Sequence, residues 1–415
     1  MDPTQTPGSD HLKISVAAPP LWTYIAGDTI IGSVNGCSHI GASDAMVSLA
    51  LVGQAKTLIE REGCNVTNKY YGVWELFEFA PQILHRGPIH IPEANSSEKI
   101  NIPFSINIPE TASLSAFRDH GQAESFIPLH AGFIAQHPLP GTFSSEWSGA
   151  KLCIDYHLRA QLQYKRHGSW QVQRATAPIT LGHPTVDPST ICFALQRRSI
   201  ACRVRGHDLR PSMQSEKLSL TQKAQRMFRS SRTLGLSFAV DMLMPLHIQL
   251  DNPAPIPLIL RVVPQQNGSS GVIKDAVQPV KINWMRLSIL SQVEIVCKPE
   301  GSGCCKIAKD ENVFTQPLGL KRVFSERKEP IVTVSGPRDQ QINIGSILHL
   351  VLSHDGLRSG DERLSRSVSI QPSFVTFNIR LSHKLIWEMS LDIAGETRTL
   401  SAEAGVIIHN SATRL

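Results

Sequence analysis

The residues best suited to chemistry in this chain are cationic. Between positions 196 and 232 there are ten lysines and arginines (197, 198, 203, 205, 210, 217, 223, 226, 229 and 232) against only Asp208 and Glu216. That local excess of eight exceeds the net charge of +6 for the whole chain, so the remainder is slightly acidic. Leu220, Ala224, Met227 and Phe228 within this stretch fall at i, i+4, i+7 and i+8, the spacing of one helix face, with Lys223, Arg226 and Arg229 around the rest. The candidate contact residues are Lys217, Lys223, Arg226, Met227, Phe228, Arg229 and Arg232. Such a segment suits an anionic membrane surface, where each cation contributes up to about 1 kcal/mol. It equally suits an acidic or phosphorylated peptide, because guanidinium groups pair well with phosphate. A solvated insert whose charge only aids solubility is the plain alternative. No aromatic platform accompanies the charge, so nucleic acid is not an expected partner.

No catalytic constellation emerges elsewhere. The sixteen histidines are scattered, and H-E-x-x-H, G-x-S-x-G, a phosphate-binding loop and a paired-glycine nucleotide fingerprint are all missing from the sequence. The eight cysteines form no C-x-x-C pair, and adjacent Cys304 and Cys305 have no histidine at finger spacing. The expectation is therefore no catalytic residue, no cofactor and no metal.

The elements that would carry any binding surface read as strands. Ile100–Ile108 is apolar at every even position, Ile154–Tyr164 at every even position, and Leu385–Ile393 at every odd one. Alternation of this kind marks half-buried antiparallel strands, whose register is fixed because a one-residue slip would expose the whole apolar set. Pro103 suits an edge strand, since it cannot donate to a ladder. Turn signals recur at Pro109-Glu110, Pro140-Gly141, His167-Gly168 and Ala394-Gly395, while helical periodicity is nearly absent. The fold class expected is all-β. No apolar run reaches the ~18–20 residues of a membrane-spanning helix, and the N-terminus shows no basic start followed by an apolar core.

The opening Tyr24-Ile-Ala-Gly27-Asp28-Thr-Ile-Ile-Gly32-Ser-Val34 resembles the start of the arrestin-like N-terminal domain found in fungal and animal alpha-arrestins. Further matches follow in order. Phe104–Pro109 is similar to that family's apolar strand ending in proline, Leu139-Pro140-Gly-Thr-Phe143 to its L-P-x-S-F segment, and Tyr156-His-Leu-Arg-Ala160 to its Y-x-L-x-A strand. Pro372-Ser-Phe374-Val-Thr-Phe-Asn378-Ile-Arg-Leu resembles a late element of fungal members. Tyr24, Gly27, Asp28, Gly32, Pro109, Pro140, Tyr156, Pro372, Phe374 and Asn378 are the family's structural positions on this reading. The chain departs from the family in its long 110–138 insertion, expected as a surface loop. It departs again at Ile31, which stands where visual and beta-arrestins carry an acid of a buried charged switch.

The resemblance implies two consecutive immunoglobulin-like β-sandwiches, the arrestin fold, with a basic linker. The boundaries expected are a flexible 1–10, an N-terminal sandwich over 11–185, the basic linker or insert over 186–233, and a C-terminal sandwich over 234–410. It implies a cytoplasmic, non-catalytic adaptor, recruited to plasma membrane or endosomes, that links membrane transporters or receptors to ubiquitin-dependent endocytosis and sorting. Its partners would be cytoplasmic segments of membrane proteins, a HECT-type ubiquitin ligase and an anionic membrane surface. The ligase contact would be indirect, because no P-P-x-Y motif is present. The alternative is a structural coat or signalling scaffold of the same fold, similar to the retromer arrestin-like subunit, that recruits no ligase.

Overall fold

The computed structural model describes residues 12–36, 39–62, 67–77, 80–91, 100–113, 125–129, 137–187, 192–205, 209, 234–265, 269–270, 279–299, 308–317, 332–334, 341–360, 362–364, 369–393 and 395–411. The described residues are mainly β-strand, with one short helix. The first half of the chain holds β1 (Leu12–Val16), β2 (Thr23–Tyr24), β3 (Thr29–Gly36), β4 (Ile40–Glu62) and β5 (Thr67–Phe77). Next come β6 (Gln82–Ile91), β7 (Asn101–Asn107), β8 (Phe143–Trp147), β9 (Ala150–Arg166) and β10 (Ser169–Leu181). The second half opens with β11 (Leu195–Arg205), β12 (Gly235–Pro245), β13 (His247–Gln249), β14 (Ile259–Pro264) and β15 (Pro279–Pro299). β16 (Ala308–Pro317), β17 (Val332–Val334), β18 (Ile342–Asn343) and the four-residue helix α1 (Ile344–Ile347) follow. The chain closes with β19 (Leu350–Ser353), β20 (Gly356–Ser359), β21 (Glu362–Arg363), β22 (Phe374–Val375), β23 (Ile379–Ile393) and β24 (Glu396–His409).

One large sheet runs through both halves in the order β13-β24-β23-β15-β5-β4-β9-β10-β2. The three-stranded sheet β1-β3-β7 packs on its first half and the four-stranded sheet β11-β12-β14-β18 on its second. The alternation seen in sequence is what builds these layers. Ile154, Tyr156, Leu158, Ala160, Leu162 and Tyr164 of β9 are buried, as are Leu385, Trp387, Met389, Leu391 and Ile393 of β23. Each such side chain contributes about 1.5–3 kcal/mol on burial before chain entropy is subtracted. Pro103 lies on β7, the outer strand of its sheet, where no further ladder needs its missing N–H.

The two cores are not cut at a linker. Ile282, Leu287 and Ile289 of β15 lie in the second core, but Val293, Ile295 and Cys297 of the same strand lie in the first. β23 does the same, with Leu385–Ile393 in the second core and Ile379 and Leu381 in the first. Phe377 and the partly buried Phe374 also pack into the first core, from a stretch that sequence reading assigns to the C-terminal sandwich. Residues 195–205, read as part of a linker, form β11 and pair with β12 along its whole length.

Part of the 110–138 insertion is not a surface loop. Ile127 is buried in the first core, the Phe126 N–H donates to Phe377 O at 2.9 Å, and the Arg380 guanidinium sits 4.6 Å from the centre of the Phe126 ring. Gly32 shows how tightly the first layer is joined. A Cβ there would stand 2.3 Å from Ser15 O on β1 and 2.6 Å from the Phe104 ring on β7. Gly32→Ala must spread the β1-β3-β7 sheet and is expected to cost about 1–3 kcal/mol as overpacking. Thermal unfolding, with amide exchange across Leu12–Val16, checks this; an unchanged melting temperature contradicts it.

Candidate functional site

The polar chemistry of the described structure gathers where the two cores meet. β4 brings Thr57, β15 brings Cys297, and the turn before β23 brings Thr376 and Asn378. Asn378 is fully buried, and its Nδ2 donates to Ala55 O and to Thr57 Oγ1, both at 3.2 Å. The Cys297 thiol lies 3.1 Å from the same hydroxyl, and Thr57 Oγ1 lies 3.1 Å from Val296 O. The Asn378 backbone carbonyl accepts from Val296 N–H at 2.9 Å. Gly72 leaves the space for this cluster, since a Cβ there would fall 2.4 Å from Thr57 Oγ1. Every member is neutral. The clasp tying strands of the two halves is therefore made of hydrogen bonds, each worth about 1 kcal/mol when made and costing about 1–3 kcal/mol per group left unpaired in the interior.

Beside this clasp the seam opens into a cleft of about 240 Å³, with Pro138, Pro140, His183, Pro372, Phe374 and His409 on its walls. Tyr156 OH donates to Pro140 O at 2.7 Å, which pins the Leu139–Phe143 segment to β9. The Gly141 N–H donates to His183 Nδ1 at 3.3 Å, and Asn410 Nδ2 donates to His183 O at 3.0 Å. His183 packs 5.5 Å from Phe374, centroid to centroid. At the far side His247 Nδ1 and His409 Nε2 share one hydrogen bond of 3.0 Å. Between the two cores His383 Nδ1 meets Ser291 Oγ at 2.9 Å. That pair is not an accessible nucleophile and base: His383 is 3% exposed, among packed strands.

Burial holds these rings neutral. The His183 imidazole is pushed down to about 4 by desolvation, with the neighbouring His354 adding repulsion. His383 is pushed down to about 4 by desolvation, only partly offset by a hydrogen bond with the Gln371 backbone. His409 is lowered by burial and by His247. Geometry says the same, because protonating His183 Nδ1 would set two donors face to face with Gly141 N–H.

The sequence-derived structural positions divide between two places. Pro140, Pro372 and Phe374 line the cleft, Tyr156 braces it, and Asn378 forms the clasp. Tyr24 is buried on β2, with its carbonyl accepting from Gly182 N–H beside His183. Gly27 adopts φ +90° in a turn closed by Asp28 Oδ2, which accepts from Ile25 N–H at 2.9 Å. Gly32 sits in the β1-β3-β7 sheet, and Pro109 follows β7. Ile31 is 58% exposed, on the solvent side of β3. Lys217, Lys223, Arg226, Met227, Phe228, Arg229 and Arg232 lie outside the described residues, as do Cys304 and Cys305. Thr57, Cys297, His183 and His383 carry no local sequence signal; only their long-range partners reveal them.

Among the described residues no group of three or more His, Cys, Asp or Glu could hold a metal ion, and no helix is long and apolar enough to cross a membrane. No family model matches the chain, and neither does any curated protein.

Two expectations follow from the seam. Asn378→Ala removes the donor to Ala55 O and Thr57 Oγ1 and opens a gap, which should cost about 2–4 kcal/mol in denaturant unfolding; a loss under about 0.5 kcal/mol contradicts the clasp. The buried histidines give an acid-side instability. Their folded pKa values lie below the unfolded value, so the stability that goes with their neutral form is complete above about pH 6.5 and is lost as pH falls towards about 4. Each ring accounts for about 3 kcal/mol of that loss. His183→Asn keeps an acceptor for Gly141 and should flatten stability against pH between 6.5 and 4; an unaltered slope contradicts the assignment.

Proposed function

We propose that the chain is a non-catalytic, arrestin-like adaptor that binds cytoplasmic segments of membrane transporters or receptors and links them to ubiquitin-dependent endocytosis and sorting. One observation carries this reading: β15 and β23 each belong to both cores, which joins the two halves into one platform, with β11 as the outer strand of its own sheet. A platform of this kind suits gripping extended segments through strand addition. The ordered motifs from Tyr24 to Asn378 support the same assignment. The exposed Ile31 and the neutral clasp argue against release by a phosphorylated tail, because neither offers a buried charge for phosphate to displace. The protein would act from the cytoplasm with peripheral recruitment to plasma membrane or endosomes. Ligase recruitment would run through a second protein, since no P-P-x-Y motif is present.

Affinity purification of the tagged full chain tests this. The expected result is co-purification of membrane transporters or receptors together with a HECT-type ligase. A stable coat complex that lacks both would instead favour the scaffold reading. Reversing Arg226, Arg229 and Arg232 to glutamate should cut sedimentation with phosphatidylserine vesicles at least fivefold at low salt; unchanged sedimentation removes the membrane role of that segment.

A further inference from the structure

β11 and β24 are the outer strands of the two layers enclosing the second core, and they run side by side without pairing. Among the described residues β24 pairs with β23 over Glu396–Val406 and meets β13 only at Ile407–His409, while β11 pairs only with β12. Two side chains bridge the gap instead. Gln196 Nε2 donates to Gly405 O at 2.5 Å and Arg198 Nε donates to Glu403 O at 3.1 Å. These contacts set the strands antiparallel.

Glu403 and Gly405 direct their carbonyls away from β23, and backbone groups alternate sides along a strand. The N–H and C=O groups of Thr397, Thr399 and Ser401 therefore face the gap as well, and no partner meets them among the described residues. An unpaired ladder of this kind is a template for another strand.

The gap also has a definite chemistry. On its inner side Ile200 and Cys202 of β11 and Leu400 and Ala402 of β24 are only partly buried against the second core. On its outer side β11 carries Arg197, Arg203 and Arg205 and no acid, while Arg198 shares the inner side with Ile200 and Cys202. Arg197 is engaged with buried Asp241 at 3.0 Å and Arg198 with the Glu403 carbonyl, whereas Arg203 and Arg205 are exposed and have no ion pair among the described residues. The acids of β24 are already neutralised, Glu403 by Lys384 at 2.7 Å and Glu396 by Arg398 at 2.8 Å.

We infer that the gap between β11 and β24 is a strand-addition site for an extended peptide whose acidic residues alternate with small apolar ones. Its backbone continues the β23-β24 ladder along Thr397–Ser401. Its apolar side chains cover Ile200, Cys202, Leu400 and Ala402, and its carboxylates face Arg203 and Arg205. The site deepens the adaptor reading and rests on it for biological meaning, though not for its geometry.

The test uses the full chain and a ten-residue peptide alternating glutamate with valine, against one alternating lysine with valine. The glutamate peptide is expected to bind at least tenfold more tightly, to weaken as salt rises, and to slow amide exchange within 396–402. Thr399→Pro removes one N–H that faces the gap and spares the ladder to β23, so a tenfold loss of affinity at unchanged melting temperature is expected. Arg203→Glu with Arg205→Glu, both on the surface, should give a similar loss and reverse the salt dependence. Equal affinity for the lysine peptide overturns the inference, as does protection confined to other strands or full binding by Thr399→Pro and by the double variant. If Thr399→Pro still captures membrane-protein segments, this site fails and the adaptor reading stands. If peptide protects β24 but no membrane-protein segment is ever captured, the site stands and the adaptor reading falls.

Discussion

The structure depends on two strands that refuse to respect a domain boundary. β15 has 21 residues, about 70 Å at the usual strand rise, and it pairs with β23 nearly from end to end. Their inward side chains feed one core and then the other. The change of core falls at Ser291 and His383, a polar pair set between Ile289 and Leu385 on one side and Val293 and Leu381 on the other. A rotation of one half against the other would shear this ladder and pull Val293, Ile295 and Ile379 out of the first core. Withdrawing each such side chain costs about 1.5–3 kcal/mol. The shared ladder therefore couples the two halves energetically.

What closes the seam decides what could open it. A buried ion pair can be undone by a competing charge, because its partner is then left unpaired in low dielectric. The Thr57, Cys297 and Asn378 clasp offers no such lever, since an anion brought near it finds no cation to capture. Protons are different. His183 accepts from Gly141 and His409 shares its bond with His247, so these contacts need at least one neutral ring. The clasp is thus indifferent to phosphate, whereas the histidine contacts beside it are sensitive to acid, a response that follows from residue type and burial.

Periodicity made much of the fold legible and little of the seam. β7, β9 and β23 announce themselves through strict alternation, and Pro103 marks an edge because its chemistry forbids a central strand. β11 was readable in principle: Ile200, Cys202 and Val204 alternate with Ser199, Ala201, Arg203 and Arg205, all exposed. Its four arginines made the stretch resemble a linker, because a strand this rich in cations carries the same composition as a charged insert. Phe126 and Ile127 were hidden in an apparently irregular insertion, since a short docking segment has no period to detect. The clasp could not be read at all. Thr57 and Asn378 are 321 positions apart, and nothing local distinguishes a threonine that will accept an asparagine from one that faces water.

The remaining argument concerns edges. Sheets that end in open strands invite copies of themselves, and proteins blunt that risk with proline, short strands or charge. This chain uses each device in a different place: Pro103 on β7, the two-residue β2 beyond β10, and arginines on β11 beside β24. Charge differs from the other two in being selective. Arg203 and Arg205 repel a second β11, which carries the same cations, and so oppose self-association through this gap. The same field attracts a strand bearing carboxylates, and the half-covered Ile200 and Leu400 reward one that alternates. Protection from like chains and recognition of unlike ones then come from a single pair of side chains, with Gln196 and Arg198 holding the far end of the gap shut.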